Sequence, residues 1–135
     1  MQEKELIGKV VNLLSDIDDA ETRSAFDFEE FRSQNTISVG IENTTQMNVG
    51  LPDYKYSLRI LIACFINEDS DGTIIDSIRA EVVRRLSRFI LNEGELSELF
   101  EEIPVVGFFF TGEQNTTDET SNRAILTYDI IASFQ

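Results

Sequence analysis

Apolar residues recur at three- and four-residue steps over residues 3–17, placing Leu6, Ile7, Val10, Val11, Leu14 and Ile17 on one stripe; this predicts an amphipathic helix. The run Asp16-Ile17-Asp18-Asp19 breaks that period. Asp27 and Glu30 have capping-box spacing for one short turn, with Phe28 and Phe31 directed inward. Over residues 36–42 the period changes to two: Ile37, Val39 and Ile41 alternate with Ser38 and Gly40, as in a half-buried strand. Residues 43–50 are polar with little periodicity and read as a loop or an extended hairpin arm. Residues 54–66 carry the strongest strand pattern. Tyr56, Leu58, Ile60, Ile62 and Cys64 share one face, and Lys55, Ser57 and Arg59 begin the other, which Leu61, Ala63 and Phe65 continue. Such a strand starts with one face wet and ends covered on both.

After a turn at residues 67–72, a second long helix is predicted over residues 73–91, with Ile75, Ile78, Val82, Leu86 and Phe89 along one stripe. Thr73 and Asp76 are spaced to close its first turn, and Asn92-Glu93-Gly94 ends it. A short helix over 95–102 precedes two strands, 105–111 and 124–134. Their connection, residues 112–123, holds no aliphatic and no aromatic residue. The order α-β-β-α-β-β, with helices and strands in separate runs, predicts an α+β fold. The expected architecture is a mainly antiparallel four-stranded sheet with the two long helices packed on one face, in a single domain spanning residues 1–135.

Composition narrows the chemistry. The 135 residues include 25 Asp and Glu against 11 Lys and Arg, no histidine and one cysteine, for a formal net charge of −14. A hydrophobic share of 41% is that of a globular chain, so the acidic excess does not imply disorder. A chain of this length buries roughly two thirds of its unfolded surface and needs no metal or disulfide staple. Without histidine, no serine–histidine or cysteine–histidine nucleophile can be assembled, and the commonest metal ligand is missing. No catalytic residue, cofactor or metal site is therefore expected. The anionic charge disfavours groove binding to DNA or RNA and attraction to an anionic membrane surface. The acidic start Met1-Gln2-Glu3-Lys4-Glu5 lacks the basic lead of a signal peptide, and the longest apolar run, residues 60–66, is too short to span a bilayer. Cys64 has no partner for an internal disulfide, which fits a reducing compartment.

Several clusters carry residue types suited to chemistry. Asn67-Glu68-Asp69-Ser70-Asp71-Gly72 spaces oxygen ligands as a calcium loop does, but a strand precedes it and Ile78 stands where a bidentate glutamate is needed. It reads better as an acidic turn whose carboxylates favour a helix N-terminus. The pairs Asp18–Asp19, Glu29–Glu30 and Glu101–Glu102 are what so acidic a chain produces by chance; hydrolysis by paired acids needs carboxyls facing across a cleft. Cys64 points to the apolar face and reads as a packing residue. Arg79, Arg84, Arg85 and Arg88 concentrate four of the cations on the second long helix. Two readings stand: a solvated face with Glu81–Arg85 pairing, or a docking patch for an acidic surface such as another copy. Glu113, Asp118 and Glu119, in the 112–123 connection, belong either to a mobile loop or to one that orders on a partner.

The strand Tyr54-Lys55-Tyr56-Ser57-Leu58-Arg59-Ile60-Leu61-Ile62, the acidic turn through Asp69 and Asp71, the helix with Ile75, Ile78, Val82 and Leu86, and the closing strand Arg123-Ala124-Ile125-Leu126-Thr127-Tyr128-Asp129-Ile130-Ile131 follow one another in a familiar order. In this the chain resembles phage tail terminator and head–tail completion proteins, over most of its length, as an order of elements. The resemblance implies a non-enzymatic structural subunit of the virion, assembled in the host cytoplasm. It implies a homo-oligomeric ring, commonly a hexamer, that caps the tail tube and meets the capsid connector. Residues 43–52 and 112–123 would be the segments that order on assembly, and an acidic lumen would let DNA pass without sticking. Two rivals are an acidic protein-binding module or small chaperone that uses a sheet edge or the arginine helix, and a small enzyme that uses carboxylates alone.

Overall fold

A computed structural model describes residues 2–24, 35–47 and 50–134. The elements run α1 (Gln2–Leu14), β1 (Ala20–Ser24), β2 (Asn35–Gln46), β3 (Asp53–Phe65), α2 (Thr73–Leu91), α3 (Glu93–Leu99), β4 (Val105–Thr117) and β5 (Ser121–Ser133). The fold is α+β, as the patterning predicts. The sheet, however, has five strands in the order β1-β2-β3-β5-β4, and it is mixed: β1 pairs with β2 in parallel and the other pairs are antiparallel.

The strand that patterning missed, β1, reads Ala-Glu-Thr-Arg-Ser and has no apolar alternation. Its place comes from partners remote in sequence. It pairs with Asn35 through Val39 of β2. The buried Asn35 side chain donates to the Asp19 carbonyl (3.2 Å) and accepts from the Phe65 amide (3.1 Å), linking the approach to β1 with the end of β3. The Thr22 hydroxyl donates to the Leu14 carbonyl (2.8 Å), one of the groups left open where α1 stops. The helix ends at Leu14, three residues before the predicted limit, yet Ile17 is still buried from the following turn. The capping pattern at Asp27 and Glu30 lies outside the described residues.

Directly paired residues share a sheet face, so the registers sort the two sides. Ile37, Ile62 and Ala124 form one row of the first face, and Val39, Ile60 and Leu126 another. Tyr56, Ile130 and Phe108 form a third, and Leu58, Tyr128 and Phe110 a fourth. The α1 residues Leu6, Ile7, Val10 and Leu14 and the α2 stripe Ile75, Ile78, Val82, Leu86 and Phe89 join these rows in one buried cluster. Phe108 stacks on Tyr128 with ring centroids 5.1 Å apart, and Phe110 meets the same ring edge-on at 5.3 Å.

The connection expected over residues 112–123 is not a loop. β4 continues to Thr117 and β5 starts at Ser121, so most of the segment is strand, with register Glu113↔Leu126, Gln114↔Ile125 and Asn115↔Ala124. Likewise β2 extends to Gln46, so residues 43–46 are a hairpin arm. Periodicity reports burial, and these stretches hydrogen-bond to a neighbouring strand while exposing most of their side chains.

Candidate functional site

The acidic turn is a joint between three elements. Asp69, only 1% exposed, accepts from the Ile74 amide (2.8 Å) and the Ile75 amide (3.2 Å), both in the first turn of α2. From β5, the Asn122 side chain donates to the Asp69 carbonyl (2.7 Å) and its carboxylate (3.2 Å). Asp71 accepts from the amide (3.1 Å) and hydroxyl (2.9 Å) of Thr73, which hold its carboxyl below the ordinary range. These contacts correct the expected Thr73–Asp76 capping pair. The residue before α2 is Gly72, at φ 77° and without a side chain, so donors at the helix start are met by acids from upstream in the turn. The carboxylates that suggest a calcium loop are thus directed at the chain's own amides.

The four arginines of α2 each have an acid of the same chain. Arg79 makes a two-pronged pair with Glu113, which it holds below the ordinary glutamate range. From the sequence both are candidate contacts to a partner, and here they meet within one chain. The extension of β4 brings Glu113 to the helix-covered face, opposite Leu126, within reach of α2. Arg84 and Arg85 share Glu81. Arg85 also reaches Asp16 and donates to the Leu13 carbonyl (3.0 Å), capping the end of α1. Arg88 lies 3.4 Å from Glu95. Asp118 accepts from the amides of Thr120 and Ser121, both at 2.8 Å, and these bonds turn the β4–β5 hairpin and hold its carboxyl at about 2. It lies 3.8 Å from Arg123. Glu119 is exposed at the hairpin tip. The arginine helix is therefore internally neutralised, and a docking role for these residues requires an exchange of partners.

A pH dependence follows. The bonds from Arg84 and Arg85 lower the Glu81 carboxyl from 4.5 to about 2. A carboxylate lowered in the folded state contributes stability that is present above its unfolded value and lost as the pH falls through the folded one. The urea midpoint should therefore drop between about pH 5 and about pH 2, and Glu81→Gln should flatten that drop. An unchanged slope in the variant would show that the Arg84–Glu81–Arg85 cluster contributes nothing to folding.

The second sheet face has a different character. Its rows are Ser38–Leu61–Ile125–Gln114, Gly40–Arg59–Thr127–Gly112, Asn43–Ser57–Asp129–Phe109 and Thr45–Lys55–Ile131–Gly107. Among the described residues, no helix belongs to this side. Leu61, Ile125 and Ile131 are half-buried, and Phe109 is 50% exposed with its ring lying over Gly107. A β-carbon at Gly107 would stand 2.8 Å from that ring, so the glycine seats Phe109 on the sheet. Between β2 and β3, a depression of about 150 Å³ is lined by Ser38, Gly40, Ile41, Glu42, Arg59 and Leu61. Its position has a local cause: Gly40 lacks a side chain, and the register shift between Ile41 and Asn43 leaves Glu42 as an unpaired bulge. Lys55 and Arg59 have no ion-pair partner among the described residues.

At the sheet edge, β4 presents Val106 (62% exposed), Phe109 and Phe110. Register shifts at Val105/Gly107 and Phe110/Gly112 interrupt it twice, which blunts edge-to-edge pairing. Cys64 is buried, and burial followed by the nearby Asp69 charge pushes its thiol up to about 12, far from a reactive thiolate. Among the described residues, no group of three or more acids or cysteines is placed to hold a metal ion, and no helix is long and apolar enough to cross a membrane. In comparisons with known proteins, no family model and no curated protein sequence matches the chain.

Proposed function

We propose that this chain is a non-enzymatic assembly subunit that builds rings with copies of itself, in the manner of the phage tail terminator and head–tail completion proteins it resembles. The observation that carries this reading is the second sheet face. It sets half-buried Leu61, Ile125 and Ile131 and half-exposed Phe109 on one face with Lys55 and Arg59, which have no ion pair among the described residues, in a chain of net charge −14. Exposed apolar surface rimmed by polar groups marks protein association. A cationic patch on an anionic subunit supplies the opposite sign that a neighbour's surface needs. In the virion, such a ring would cap the tail tube and meet the connector proteins, and an acidic lumen would repel passing DNA. Purified protein should form closed rings in negative-stain electron micrographs, and its sedimentation coefficient should rise with concentration. Isolated particles at every concentration would overturn the proposal.

A second reading has an observation of its own. Val106, Phe109 and Phe110, exposed on β4, suit a binding module or small chaperone that holds an apolar segment of another protein through side-chain contact. It differs in outcome: such a module stays monomeric on its own.

A further inference from the structure

We infer that two copies of this chain meet end to end, about a two-fold axis, through the apolar end of the sheet where β2 stops and β4 begins. Three backbone bonds gather that end from remote segments. The Met47 amide donates to the Asp53 carbonyl (2.9 Å), the Phe134 amide to the Pro52 carbonyl (2.9 Å) and the Ser133 amide to the Pro104 carbonyl (3.0 Å). They set the β2–β3 turn, the end of β5 and the entry to β4 along one rim. Met47, Leu51 and Val106 are exposed along it. Phe134, edge-on to Tyr54 at 6.0 Å, is half-buried at its middle.

Charge identifies the occupant. The chain carries −14, yet in residues 43–56, 103–112 and 130–134 the charged side chains are Asp53 and Lys55 alone. The other end of the sheet is acidic. There the Ile66 amide donates to the Thr120 carbonyl (3.0 Å), which brings exposed Glu68 and Asp71 together with Asp118 and Glu119. Seating the apolar end of one copy on the acidic end of another would strip carboxylates of water against a single lysine. Like end therefore meets like end, where apolar groups are self-complementary. The two charges are self-complementary too. Asp53 and Lys55 lie two residues apart on one face of β3, so a two-fold axis between them sets Asp53 of each copy against Lys55 of the other. Glu101 and Glu102, just ahead of Pro104, and Glu3, bonded to Thr44, border this neutral patch. Salt that screens these acids strengthens the contact. Ring closure through the cationic second face is a separate contact and weakens with salt, so the two readings fail separately.

Sedimentation velocity at rising salt reads the contact. Wild-type protein should pair more strongly as salt increases, as a dimer or as two stacked rings. Leu51→Glu with Val106→Glu should weaken pairing about a hundredfold and leave the urea midpoint unchanged, because both side chains are exposed. Arg59→Glu, on the second face, should leave pairing intact. Asp53→Lys and Lys55→Asp each give an end of one sign and should pair about tenfold more weakly. Mixed in equal amounts they should pair again, which also shows that both are folded. Pairing that survives Leu51→Glu with Val106→Glu, or a mixture that does not recover, would overturn this contact. Single rings that never pair would overturn it and leave the assembly proposal standing. Dimers that never form rings would uphold it and overturn that proposal, and a protein that stays monomeric would overturn both.

Discussion

Replacing Asp69 by alanine is expected to destabilise the chain by about 3 kcal/mol, read as the free energy of urea unfolding. The buried carboxylate accepts from the Ile74 and Ile75 amides and from the Asn122 side chain; its removal leaves the two amides unmet, while Asn122 keeps its bond to the backbone carbonyl of residue 69. Hydrogen bonds to a charged acceptor contribute about 1.5–3 kcal/mol each at most, and the lost negative charge at the start of α2 adds a smaller helix-dipole effect. Water entering the gap recovers part of this, so the sum is less than the parts. Asp69→Asn keeps one carbonyl acceptor and should lose about half as much. Asp71→Ala should have far less effect, because its bonds to Thr73 are at the surface. Equal losses for Asp69→Ala and Asp71→Ala would mean that the joint between β3, α2 and β5 does not depend on the buried acid.

Adjacent residues of β3 should respond very differently to the same truncation. Ile60 is fully buried in the row Val39–Ile60–Leu126 beneath the helices, and Ile60→Ala should cost about 3–4 kcal/mol through lost burial and the cavity left behind. Leu61 points to the opposite face, half-buried beside the Gly40 depression, and Leu61→Ala should cost about 1 kcal/mol or less. The same substitution should weaken association of the wild-type copies, whereas Ile60→Ala should affect it only through unfolding. Comparable stability losses at both positions would show that the second face is as well covered as the first. That result would remove the surface on which the assembly proposal rests.

Where side chains alternate between core and water, the sequence alone located the elements. The predicted strand over residues 54–66 and helix over residues 73–91 match β3 and α2 to within a residue at each end, because transfer of apolar groups from water imposes a period of two or 3.6 on each. The α+β class, the wet start of the second face at Lys55, Ser57 and Arg59, and the burial of Cys64 follow from the same signal. Its reach stops where pairing is not accompanied by burial. β1 and the outer half of β4 are polar, and they are strands because β2 and β5 offer backbone partners; that information lies in residues distant along the chain. Charge follows the same logic. The sequence places four arginines on α2, but only the fold brings Glu113, Asp16 and Glu81 to them. Lys55 and Arg59, unremarkable in sequence, share the second sheet face and have no ion pair among the described residues. Asp69 and Asp71 are near-equivalents in an acidic turn until Asn122 and the start of α2 enclose one and leave the other in water. An ion pair or a buried acid is a three-dimensional coincidence of groups that local periodicity does not encode, so tertiary structure alone decided which charges hold the fold and which stay at its surface.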